Sequence, residues 1–147
     1  MKIKNKLLNH IMINGEKKTS EKILLKSIKE LQRVSNKQSN NLIKLAILNT
    51  TPLFKLHKII NSKKQKKKNK KIREIPAFIA NKLSRTSLAI KFILSSIDSK
   101  KSNNFYTNLK QEILATAQSK GTAIELKDNL QKQVLLKKRF FTYYRWK

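Results

Sequence analysis

The sequence predicts a mainly α-helical protein with one β-hairpin, and three observations carry that prediction. Apolar side chains recur at helical spacing along most of the 147 residues. Only two glycines and two prolines are present, so little interrupts long helices. One stretch, 53–79, abandons the helical period and alternates apolar with polar residues.

The elements follow in order. Gly15 in "INGEKK" marks a turn, and a helix runs from Thr19 to Val34, with Leu24, Ile28, Leu31 and Val34 inward and Ile23 and Leu25 widening the stripe. Thr19 or Ser20 is its expected cap, and Glu21 suits the positive end of its dipole. A second helix spans Ser39 to about Asn49 with Leu42, Leu45 and Ala46 inward, and Pro52 disfavours helical geometry at Thr51. In the alternating stretch, Phe54, Leu56 and Ile60 interleave with Lys55 and His57, and "IREIPAF" (Ile72 to Phe78) forms the returning arm. Pro76 cannot donate to a ladder, so it belongs on an unpaired side or near a strand end. With no glycine turn, the tip is expected to be long and loose. Ser84 or Thr86 is then read as the cap of a helix bearing Leu88, Ala89, Phe92, Ile93 and Ile97 on one face. Ser102 opens another, with Phe105, Leu109, Ile113 and Ala117 inward and Gly121 as its stop. A last helix is expected from about Asp128, most simply its cap, to Arg139, before the ending "RFFTYYRWK".

Charge narrows the function. Thirty-five Lys and Arg stand against 8 Asp and Glu, a formal net charge of +27. A compact state of that charge repels itself and calls for a polyanion, nucleic acid first and an anionic membrane surface second. The 39% hydrophobic content is too high for a purely disordered tail. With no cysteine there are no disulfides, thiolate metal sites or thiol nucleophile. No apolar run reaches the ~18 residues of a membrane span. The first residues lack the pattern of a secretory signal or an import presequence. No catalytic constellation stands out: acids are not paired, the two histidines (His10 and His57) have no partners at metal spacing, and no cofactor is implied.

The landmarks "NGEKKTSEKIL" (Asn14 to Leu24), "NTTPLFKLHKI" (Asn49 to Ile59), "IREIPAF", "RTSLAIKFI" (Arg85 to Ile93), "KGTAIELKD" (Lys120 to Asp128) and "YYRW" (Tyr143 to Trp146) come in a recognisable order. This resembles the S-seven family of small-subunit ribosomal proteins from about Leu8 to Trp146. The resemblance implies one domain over 1–147, built as a bundle of about six helices with a β-hairpin extension at about 53–79 between the third and fourth. It implies a structural protein without catalytic activity that binds the 3′ major domain of small-subunit ribosomal RNA, supports head assembly and lies near the exit-site transfer RNA and the messenger path. Neighbouring head proteins are the implied protein partners, with no membrane role. The chain departs from the family where arginine-rich arms and a Gly-Gly turn are usual: here the arm reads "KLHKII" and the turn is a lysine block. Bidentate arginine contacts are thus partly lost, and point charges replace them.

Lysines that neutralise phosphates release counterions and make binding strong and salt-dependent. Lys55, His57, Lys58 and Arg73 on the arms are expected rRNA contacts. So are Lys17, Lys18 and Lys22 at a helix start. Arg85 could fork onto a phosphate or base edge, or serve as a cap or ion pair; Lys91 is a weaker case of the same kind. Lys63, Lys64, Lys66, Lys67, Lys68, Lys70 and Lys71 at the tip either contact rRNA, transfer RNA or the messenger, or form a solvated tract. Tyr144, Arg145 and Trp146 form a packed or RNA-facing tail. The main alternative is a nucleoid-type basic protein that compacts organellar DNA. The abundance of Lys, Ile and Asn indicates an AT-rich gene, which favours an organelle-encoded protein, mitochondrial before plastid, with an AT-rich bacterium as the remaining option.

Overall fold

A computed structural model of the chain describes residues 3–35, 39–60, 72–98 and 104–143. Helices dominate: α1 (Ile3–Ile11), α2 (Lys17–Val34), α3 (Ser39–Thr50), α4 (Lys82–Asp98), α5 (Phe105–Ala117) and α6 (Thr122–Leu136), followed by a 3-10 helix (Lys138–Tyr143). Between α3 and α4 stand β1 (Phe54–Ile60) and β2 (Ile72–Phe78), paired antiparallel, as the alternation predicts. The lysine tip, Ser102 and the terminal Tyr144, Arg145 and Trp146 lie outside the described residues.

The helices surround one apolar cluster. α5 packs against α2, α3 and α4, so Leu109 and Ile113 sit among Leu24, Ile28, Leu31, Ile43, Ile47, Ile93 and Ile97. Burial of these aliphatic side chains is the main favourable term, worth about 1.5–3 kcal/mol for each one fully buried. Buried hydroxyls fit between the helices because each bonds back to its own helix: Ser27 to the Leu24 carbonyl, Thr50 to that of Ala46, Ser96 to that of Ile93 and Thr116 to that of Glu112. Among the described residues, no buried side-chain nitrogen or oxygen lacks a hydrogen-bond partner.

The ribbon register explains Pro76. The Ile79 amide donates to the Leu53 carbonyl at 3.0 Å, one step beyond the Phe54–Phe78 pair. Bonded and non-bonded pairs alternate in an antiparallel ladder, so Leu56 and Pro76 face each other at a non-bonded position. The missing amide hydrogen therefore points away from the partner strand, and no ladder bond is lost.

Several boundaries differ from the periodicity reading, each for a local reason. An additional helix, α1, precedes the Asn14–Gly15 turn, where φ is +53° and +78°. α2 starts at Lys17, not Thr19; the Thr19 and Ser20 hydroxyls donate to the Glu16 carbonyl within the first turn, and Glu21 lies beyond that turn. α4 starts at Lys82, with the Asn81 side chain accepting the Leu83 amide at 2.8 Å, in place of a Ser84 or Thr86 cap. Leu25, Val34 and Leu45 point to solvent although helical spacing places them inward.

The largest correction is at α6. Its first residue is Thr122, so Asp128 is an exposed mid-helix residue and no cap. Gly121 does not stop α5, which ends at Ala117; with φ +103° it opens α6. The end of α6 is likewise earlier than Arg139, which belongs to the 3-10 helix.

Candidate nucleic-acid interface

The ribbon root is a packed column. Phe54 meets Phe78 edge-on, with ring centroids 5.8 Å apart, and stacks on Phe141 of the 3-10 helix at 5.5 Å. The Arg85 guanidinium lies 4.9 Å over the Phe78 ring, and its Nε donates to the Ile79 carbonyl at 2.5 Å. Arg85 is thus half-buried and engaged in holding α4 to the end of β2. This is a structural role, but neither the cap nor the ion pair that the sequence set beside the RNA-binding one.

One rung outward is an electrostatic clamp. Register pairs Lys58 with Glu74, whose charged ends lie 3.9 Å apart, and Lys137 from the end of α6 hydrogen-bonds the same carboxylate. The hydrogen bond and charge of Lys137, with Lys58 more weakly, hold the Glu74 carboxyl below the ordinary carboxylate range. The sequence reading missed Glu74 as a positioning group; an acid opposite lysine in a basic ribbon is the signal that could have found it.

β1 is the outer strand and β2 the inner one. Ile75, Pro76 and Ala77 are buried, whereas Lys55, His57, Lys58 and Arg73 are exposed. The arms therefore present cations to solvent from a backbone fixed against the body.

A second basic region surrounds α1. Lys17, Lys18 and Lys22 are exposed at the start of α2. Lys17 lies 3.8 Å from Glu21, an exposed pair of little energetic weight. Lys4 and Lys17 share a cleft of about 450 Å³ between α1 and α2 with Asn5, Asn9 and Glu21. On the side of α1 that meets α4, Lys6 bonds the Leu83 carbonyl and lies 3.2 Å from the Thr86 hydroxyl. One turn on, His10 Nε2 is 2.6 Å from Ser87 Oγ, and Lys91 is exposed nearby on α4. Burial, then the charges of Lys91 and Lys6, hold the His10 imidazole below its ordinary pKa. The predicted contacts are thus brought together as two groups, linked through the first turns of α4. Lys4 and Lys6 were not singled out from the sequence, and His10 was weighed there only as a metal ligand; their signal is the amphipathic turn with Leu7, Leu8 and Ile11 behind it.

Chemically, this surface offers point charges and hydrogen-bond donors to an anion. Among the described residues, no three His, Cys, Asp or Glu side chains stand together to hold a metal, and no helix is long and apolar enough to cross a membrane.

Comparison with known proteins agrees with this architecture. A family model described as Ribosomal protein S7p/S5e matches residues 1–136. The chain is similar to the small ribosomal subunit protein uS7 of Pseudothermotoga lettingae, 29% identical over 141 residues, covering 96% of this chain and 85% of that one. It is similar to the uS7c of Euglena gracilis, 26% identical over 136 residues, 92% of this chain and 82% of the other. The uS7 of Wigglesworthia glossinidia brevipalpis is 25% identical over 144 residues, 98% and 86% of the two chains. With a family model matched along nearly the whole sequence, the chain belongs to the Ribosomal protein S7p/S5e family, whose members are structural, non-enzymatic proteins.

Proposed function

We propose that this chain is a structural constituent of the small ribosomal subunit, one domain over 1–147 with the ribbon as its extension. In this reading it binds the 3′ major domain of small-subunit rRNA and supports assembly of the head beside neighbouring head proteins. The observation that carries it is a cationic ribbon whose arms expose Lys55, His57, Lys58 and Arg73 while aromatic stacking and the Glu74 clamp fix its root. A positioned ribbon can place charges between RNA helices where a globular face cannot enter. Lys17, Lys18, Lys22 and Lys91 supply the second contact region. The tip lysines, with Tyr144, Arg145 and Trp146, extend the interface toward the exit-site transfer RNA and the messenger path.

The test is salt-dependent binding to a transcript of the head domain. Neutralising Lys55, Lys58 and Arg73 together weakens affinity and flattens the logarithmic salt slope by about one unit per lost contact. An unchanged slope removes the arms from the interface. Competition against random duplex DNA at ~150 mM salt separates this reading from a nucleoid protein, because a fitted site discriminates and a generic cation does not.

For compartment, the AT-rich residue usage supports an organellar ribosome, mitochondrial first. The resemblance to Euglena uS7c supports the plastid as the second reading. Co-fractionation of the native chain with mitochondrial or plastid ribosomes decides between them.

A further inference from the structure

His10 occupies an unusual place for an imidazole. α1 brings Lys6 one helical turn before it; α4 brings Ser87 against Nε2 and Lys91 beside it. On the opposite side of α1, α2 contributes Lys17 and Glu21 to the neighbouring cleft. The charges that act on the ring from the α1–α4 seam are those of lysines, and the seam is partly withdrawn from water. Both effects favour the neutral ring, in which one nitrogen carries hydrogen and the other is bare. The hydroxyls of Thr86 and Ser87 line the same seam. The Thr86 hydroxyl donates to the Leu83 carbonyl, which leaves the Lys6 ammonium, the Ser87 hydroxyl and a protonatable ring along one helix–helix seam, with the Lys91 charge acting on it. Together they match the needs of a phosphodiester, which takes charge and hydrogen bonds together.

We propose that the α1–α4 seam is a phosphodiester site formed by Lys6, His10, Ser87 and Lys91, and that His10 takes up a proton as an RNA phosphate enters. This rests on the rRNA-binding reading above and adds a specific site and a proton linkage to it. The phosphate cancels the lysine field that disfavours the charged ring. The bare ring nitrogen then takes a proton from solvent, after which both nitrogens are donors. Binding and proton uptake are thereby linked, so acidification strengthens RNA binding between the free and bound pKa values, by at most about tenfold per pH unit.

The experiment follows the His10 ring resonances of the full chain through a pH titration, alone and with a transcript of the head domain of small-subunit rRNA. The His10 pKa is expected to rise by about one unit or more in the complex, and affinity at fixed salt to increase about three- to tenfold from pH 7.5 to pH 6. His10→Gln flattens that pH dependence, which separates the seam from His57 on the ribbon. Lys91→Gln raises the His10 pKa of the free chain by removing one repelling charge. The same His10 pKa with and without RNA, or a His10→Gln chain as pH-dependent as its parent, overturns the inference. Binding with His10 untouched sinks this site alone; failure to bind the transcript at all sinks the rRNA reading with it.

Discussion

Two glutamates hold two junctions of this molecule, and they do so by different physics. Glu112 on α5 is 1% exposed, and its Oε1 accepts the Ala123 amide at 3.1 Å with the Thr122 hydroxyl at 3.4 Å. It caps α6 from a neighbouring helix, placing a carboxylate at the positive end of the α6 dipole where water is excluded. Glu74 sits at the ribbon root, about one-third exposed, between Lys58 and Lys137. Water competes there, so the same functional group orients a surface element without carrying much of the fold. In a chain of +27 with so few acids, these two serve junctions between elements, one inside the core and one at its rim, and Glu30 of α2 joins α5 through Lys110 at 3.7 Å.

The comparison breaks most sharply at the buried member. Glu112→Ala leaves the Ala123 amide buried without its acceptor and opens a small void, so we expect a loss of about 3 kcal/mol. In a thermal melt this corresponds to about 6–12 °C. Glu112→Gln keeps an acceptor and is expected to lose about half as much; an unchanged melt for the alanine variant removes the capping role.

Gly121 sharpens the same junction. Its φ of +103° is costly for any side chain, and a Cβ there would lie 3.1 Å from both Glu112 Oε1 and Ala115 Cβ. Gly121→Ala should therefore cost about 1–3 kcal/mol, read as a shift in the denaturant midpoint at constant m-value.

The smallest global effect belongs to Glu74. Its folded pKa is depressed, so its anchoring is present above the ordinary carboxylate range and is lost as pH falls through the lowered value. Glu74→Gln, or acidification, should speed amide exchange in β1 and β2 while leaving the protection of α5 unchanged. Equal loss of protection in both places would show that the ribbon root and the core form one cooperative unit.

Much of this was legible in the chain. Helical periods located α2, α3, α4 and α5, and alternation located the ribbon, because burial on one face writes its period directly into sequence. Helix ends were harder. Thr19, Ser84 and Thr86 all have capping chemistry, but the backbone starts each helix earlier, at Lys17 and Lys82. The start of α6 was hidden for a different reason: its cap, Glu112, lies ten residues upstream of Thr122 on another helix. A glycine with positive φ can end one helix or open the next, and no local signal separates those roles at Gly121. At the candidate interface, charge alone flagged the exposed lysines. It gave no hint that Arg85 turns inward onto Phe78 and the Ile79 carbonyl, nor that α1 folds Lys6 and His10 against α4.

The ribbon root also has a temporal consequence. Glu74 and Lys137 are 63 positions apart, and Phe141 comes later still. Translation at ~5–20 residues per second leaves a newborn finger without its latch for about 3–13 s after its own strands are made. Throughout that interval it can pair with itself and meet Arg85 of α4 but lacks the Lys137 clamp and the Phe141 stack, so nascent chains halted before Lys137 would carry the cationic finger on an incomplete root.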